Sequence, residues 1–145
     1  MKFASPVHAL SALVLLLFLP LGASAGETVH ATLNEWSIDI DNSEVAAGEV
    51  TFRVTNAGRE YHELVILRTS SRHDRLPVER GLVTEESAGR LIGEIEEFPP
   101  GETRTATFTL EPGEYVLFCN IVEEEENGEL ESHYGEGMHI ALRVR

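Results

Sequence analysis

From Thr28 onward the chain is a succession of short segments in which apolar and polar residues largely alternate: "TVHATL", "WSIDI", "EVTFRVTN", "HELVILRT", "TRTATFTL", "GEYVLFC" and "MHIALRVR". A period of two is the signature of β-strands with one buried face. The breaks "DNSEVAAGE", "NAGRE", "FPPGE" and "EPGEY" carry turn chemistry, with Pro and Gly setting or permitting the angles a reversal needs. Seven or eight such strands in one small domain predict a two-sheet antiparallel sandwich. The stretch "RHDRLPVERGLVTEESAGRLIGEIEEF" alternates poorly. It reads as a connection with one short helix near Thr84 to Gly89, leading into a strand around Ile92 to Phe98.

The start of the chain follows a different pattern. Lys2 precedes the apolar run "ALSALVLLLFLPL", and Ala23-Ser24-Ala25 has the small residues of a cleavage site, so residues 1–25 are expected to be a secretory signal. The run is broken by Pro20 and is shorter than the roughly 20 residues of a membrane-spanning helix. No membrane span is therefore expected after cleavage, and the absence of a cysteine at the cleavage site argues against a lipid anchor. The remainder, 26–145, suits one domain, placed by the signal in the periplasm or outside the cell. With 25 acidic residues and a formal net charge of -14, the chain does not suit nucleic acid.

Exported chains usually pair their cysteines, but this one has only Cys119. It could be a buried small hydrophobe, a reactive thiol or a metal ligand. The other residues near strand ends bear on the choice. His62 opens "HELVIL", Cys119 closes "GEYVLFC", Met138 opens the last strand, and His133 lies in the loop between them. A thiolate, two imidazoles and a weak thioether are the donor set of a mononuclear blue-copper site. Strand ends and loops at one end of a sandwich are where such sites are built. Taken singly, each residue has a plainer reading, with His62 as a hydrogen-bonded surface histidine and Met138 as core filler. Only the ordered set favours copper.

The segments "VTNAGREYHELVIL", "EPGEYVLFC" and "SHYGEGMHIALRV" resemble the cupredoxins, the plastocyanin and azurin family of small blue copper proteins, and most closely the plastocyanin-like and sulfocyanin-like members. The resemblance implies an all-β, Greek-key antiparallel β-sandwich binding one type 1 copper ion. It further implies His62, Cys119 and His133 as equatorial ligands, Met138 as the axial one, Tyr115 as a tyrosine corner, and Asn56 and Glu63 as ties between the ligand loops. Electrons would leave through the edge of His133. One feature departs from the family pattern: thirteen residues, "NIVEEEENGELES", separate Cys119 from His133, where most members have only a few. Loop-closure cost grows slowly with length, so the site can survive the insertion.

The expected function is a single-electron carrier cycling between Cu(I) and Cu(II), a monomer serving redox partner proteins that could carry a basic docking face. The alternative is a periplasmic copper-binding protein for delivery or tolerance. No enzyme is expected, because one ligand set offers no second, substrate-binding copper. His139 should point away from Met138, His30 and His73 show no partner pattern, and Glu123 to Glu126 lack the ligand spacing of a calcium loop.

Overall fold

The computed structural model describes residues 26–145, and the expected signal segment lies outside the described residues. In chain order the elements are β1 (Glu27–Asn34), β2 (Ser37–Ile40), β3 (Glu44–Val45), β4 (Gly48–Asn56), β5 (His62–Arg68), β6 (Val78–Glu79), β7 (Leu82–Val83), α1 (Glu85–Ala88), β8 (Arg90–Phe98), β9 (Thr103–Leu110), β10 (Gly113–Phe118), β11 (Val122–Glu124), β12 (Leu130–Ser132), α2 (His133–Glu136) and β13 (His139–Val144). Among the described residues no helix is long and apolar enough to cross a membrane.

Two sheets face each other, one in the order β2-β1-β4-β9 and the other β3-β13-β10-β5-β8. Most pairings are antiparallel, while β1 with β4 and β3 with β13 run parallel. The alternation read from the sequence holds where a strand has one wet face. In β4, Val50, Phe52 and Val54 turn inward, while Glu49 and Arg53 stay exposed. These inward residues meet Leu64, Ile66, Leu117 and Leu142 of the opposite sheet in one core. Tyr115 Oη donates to the Glu111 carbonyl at 2.8 Å, the tyrosine corner that the resemblance implied.

The middle of β5 departs from alternation, since Leu64 through Leu67 are all buried. Its outer face and that of β10 are covered by the poorly alternating connection between β5 and β8 and by α2. Leu76, Val83, Ala88 and Tyr134 pack there on Val65, Leu67, Val116 and Phe118. An apolar run without alternation marks a strand buried on both faces. The short helix α1 and the strand β8 lie where the sequence placed them.

Candidate metal centre

His62, Cys119 and His133 converge at one end of the sandwich, with their ligand atoms all within 4.8 Å of one another. All three are fully buried. His62 Nδ1 lies 3.2 Å from His133 Nδ1, which lies 3.3 Å from Cys119 Sγ.

His62 starts β5 beside a register irregularity opposite Phe98, and its ring is held from the outside. Its Nε2 faces Glu35 Oε1 at 3.0 Å. The same oxygen accepts the backbone N–H groups of Arg59 at 2.7 Å and Glu60 at 3.1 Å. Partial desolvation opposes ionisation of Glu35, but those N–H donors and the His62 ring outweigh it and hold the carboxyl at about 2. A ring that gives its Nε2–H to a carboxylate can present its Nδ1 lone pair inward to a metal ion. Gly58 makes the contact possible, because a Cβ there would collide with the Glu35 carboxylate and lie 2.8 Å from His62 Nε2.

Cys119 follows β10, and its N–H donates to the Met138 carbonyl at 3.1 Å, so the two ends of the ligand loop are pinned together. Its sulfur accepts the Glu63 N–H at 3.5 Å. Met138 is wholly buried in the same core cluster as Cys119. Glu63 Oε1 accepts the Asn120 N–H at 3.0 Å, tying β5 to the Cys119 loop as expected. Asn56 acts differently: its Nδ2 donates to the carbonyls of Glu60 and Phe98 and its Oδ1 accepts from Gly58 N–H, bracing the His62 loop alone.

The thirteen-residue insertion is a hairpin. β11 and β12 pair antiparallel from Val122↔Ser132 to Glu124↔Leu130, and the His133 N–H closes the base on the Ile121 carbonyl at 3.0 Å. The chain thus leaves and returns at nearly the same point, which brings His133 beside Cys119 despite the spacing. Ser132 Oγ accepts the Gly135 N–H at 3.0 Å and orders the turn that carries His133. The hairpin also rests on the β6–β7 ribbon, where Ser132 Oγ donates to the Gly81 carbonyl at 2.5 Å.

The chemistry of the donor set suits a soft or borderline cation. Burial pushes the Cys119 thiol up to about 12, against backbone N–H groups of Glu63 and Ile121 that favour the thiolate. Burial, helped by His62, lowers His133 to about 4, so its imidazole is neutral at neutral pH. Two inward Nδ1 atoms and a sulfur at these separations form a site whose thiolate needs a neighbouring cation.

The residues singled out in the sequence are distributed clearly. His62, Cys119 and His133 meet, and Met138 is joined through the Cys119 backbone. His139 points away, as expected, but it is half-buried, with its Nδ1 2.8 Å from His73 Nδ1 and its ring packed on Tyr134. His30 is exposed on β1 and does not join the group. The resemblance placed the His133 edge at the surface, and here the structure differs. The side chain is fully buried, its ring in edge contact with Trp36 at 5.1 Å between centroids, and Glu60 stands 3.8 Å from Nε2. The sequence reading missed Glu35, Trp36, Glu60 and Asn120. Trp36 opens the alternating "WSIDI" without any mark of a role at the site, and Glu35, Glu60 and Asn120 have no periodic signal, since Glu35 lies in the turn between β1 and β2 and the other two are loop residues.

No protein-family model and no curated protein matches the sequence. Solved structures do. The dithionite-reduced auracyanin of Roseiflexus castenholzii is 22% identical, with a TM-score of 0.55 over 84% of this chain and 99% of that one. Auracyanin A of Chloroflexus aurantiacus, described as a blue copper protein, is 20% identical, with a TM-score of 0.57 over 83% and 100%. Rusticyanin of Thiobacillus ferrooxidans is 18% identical, with a TM-score of 0.53 over 83% and 79%. All three are cupredoxins, and the chain described here is cupredoxin-like, an all-β sandwich of that fold.

Proposed function

We propose that the chain is an exported blue copper protein that carries single electrons between redox partners, holding one copper ion on His62, Cys119, His133 and Met138. The observation that carries this reading is the buried convergence of His62 Nδ1, His133 Nδ1 and Cys119 Sγ within 4.8 Å. Bound copper would supply the one-electron Cu(II)/Cu(I) couple. The chain's own residues supply the rest. His62 is oriented by Glu35, His133 by its backbone bond to Ile121, and the Cys119 sulfur by the Glu63 N–H. Donors fixed on strand ends and closed from water change little between oxidation states, which favours fast electron exchange. Met138 would be the fourth and weakest donor.

Burial also supports carrying over delivery. Handing a metal ion to a partner requires the partner's ligands to reach it, yet none of His62, Cys119 and His133 is exposed. An electron needs no such access, and Trp36, in edge contact with the His133 ring, is itself partly exposed. The neighbouring auracyanin A, described as a blue copper protein, supports the same reading.

Copper(II) added to the purified chain should produce an intense visible band from the copper–thiolate bond, and Cys119→Ser should abolish it. A colourless chain holding one equivalent of copper would remove the proposal. His62→Ala and His133→Ala should each alter the spectrum, and a variant with an unchanged spectrum would drop that residue from the ligand set.

A further inference from the structure

His133 has donors on both sides of its ring. Nδ1 faces His62 and Cys119, while Nε2 faces outward toward two carboxylates. Glu60 comes from the loop before β5 and Glu131 from β12, so the inserted hairpin brings a group that the rest of the sandwich does not offer. The ligand atoms of Glu60, Glu131 and His133 all lie within 4.8 Å of one another, with Glu60 Oε2 3.8 Å from His133 Nε2.

The ring side chain is fully buried, and its Nε2 has no hydrogen-bond partner; the same is true of the buried Glu60 Oε2. Among the described residues these are the two buried side-chain polar atoms left without one. Buried polar groups are nearly always satisfied, so a pair of orphans facing each other marks a place for something else. Neither Glu60 nor Glu131 is paired with an arginine among the described residues.

We propose that Glu60, Glu131 and His133 Nε2 form an outer site for a divalent transition-metal cation of the class that takes carboxylate and imidazole ligands, distinct from the sulfur-containing site on the other side of the ring. Ligand bonds of about 2.0–2.2 Å spread tetrahedrally hold donor atoms roughly 3.4 Å apart. The observed separations close to that value with small movements of the two half-exposed glutamates. Two ionised carboxylates and one imidazole lone pair replace water on the ion, and no other bond is made or broken. The lone pair is free at Nε2 when the ring proton sits on Nδ1, so the copper-free chain is the form that binds.

Mn2+ is the probe, because it favours carboxylate and imidazole donors and is a poor match for a thiolate. Titrated into the copper-free chain and followed by loss of the free-ion paramagnetic resonance signal, it should fill one saturable site. Glu60→Gln, Glu131→Gln and His133→Gln should each weaken that site at least about tenfold. Glu126→Gln should leave it unchanged, because it removes a hairpin charge outside the triad. Absence of a saturable site would overturn the proposal. So would unchanged binding in Glu131→Gln, a folded variant in any event because the residue is partly exposed on a hairpin, or an equal loss in Glu126→Gln, which would mean diffuse attraction to an acidic surface. None of these readings uses copper, so a failure of the copper proposal would leave them intact.

Discussion

His62 and Glu35 are joined by a 3.0 Å contact between Nε2 and Oε1, and this contact decides which nitrogen of His62 faces the centre. Glu35 is itself fixed by two backbone N–H groups from the loop that precedes His62. The turn after β1 and the loop before β5 therefore position the ligand together. A carboxylate behind a ligating histidine fixes the ring and raises its donor strength.

Glu35→Gln keeps the shape and removes the charge. Copper affinity should fall by about ten- to a hundredfold, and the reduction potential should rise, since a less basic His62 and a lost negative charge both favour Cu(I). Metal competition and voltammetry read the two effects. The metal-free chain supplies a second readout. The folded-state carboxyl is lowered from 4.5 to about 2, so its contribution to stability is present above 4.5 and is lost as pH falls from 4.5 toward 2. Glu35→Gln should show a shallower fall in melting temperature across that window, and parallel curves would mean that the contact adds nothing to folding.

Copper uptake should release protons in a defined pattern. The Cys119 thiol, pushed up to about 12 by burial, is protonated in the metal-free chain at any ordinary pH and must lose its proton to bind as thiolate. Burial raises Glu63 to about 7, with Glu94, Glu85 and Glu97 adding to the rise against the Asn120 N–H. At about pH 8.5 one proton per copper is expected, because Glu63 is already ionised. Near pH 6, Glu63 is largely protonated, and a cation beside Cys119 should expel part of that second proton. Calorimetry in buffers of different ionisation enthalpy measures the count, and zero protons at the higher pH would show that Cys119 is not a ligand.

Alternation made β1, β4, β9 and β13 legible, because each presents a core face and a wetter one, and the ligand types stood out because they sit where strands end. Other parts lay beyond that kind of reading for physical reasons. The strands "VEE" and "LES" of the hairpin carry almost no apolar side chains, so backbone pairing holds them and no hydrophobic period announces them. Leu76 and Val83 stand in a connection that alternates poorly, yet they cover the outer face of β5 and β10. Glu35, at a turn far from His62 in sequence, and the His73–His139 pair are products of the fold, which brings distant loops together.

Met138 gives a prediction in the opposite chemical sense to a charge. Its thioether would donate weakly and stabilise Cu(II) over Cu(I), so Met138→Leu should raise the potential and keep the colour. The substitution nearly conserves volume in a fully buried position, and its cost in stability should stay below about 1.5 kcal/mol. A potential that is unchanged or lower by voltammetry would mean that Met138 is core filler and that another group serves as the axial donor.

The acidic side chains Glu123 to Glu126 are all exposed, on β11 and the turn of the hairpin whose base carries His133. Such a cluster beside the centre would draw a basic redox partner toward it and speed encounter, an effect that salt screens over a Debye length of about 8–10 Å. Replacing all four with Gln leaves the backbone pairing of β11 with β12 and every proposed ligand in place, so only the local field changes. With a basic partner the electron-transfer rate should fall, and its dependence on ionic strength should become shallower, while the visible spectrum and copper affinity stay the same. Rates unchanged across ionic strength would reduce the run to solvation of an exposed hairpin. Loss of copper would instead show that the hairpin's charge is needed to hold His133 beside Cys119, which the bond from His133 N–H to the Ile121 carbonyl should accomplish without it.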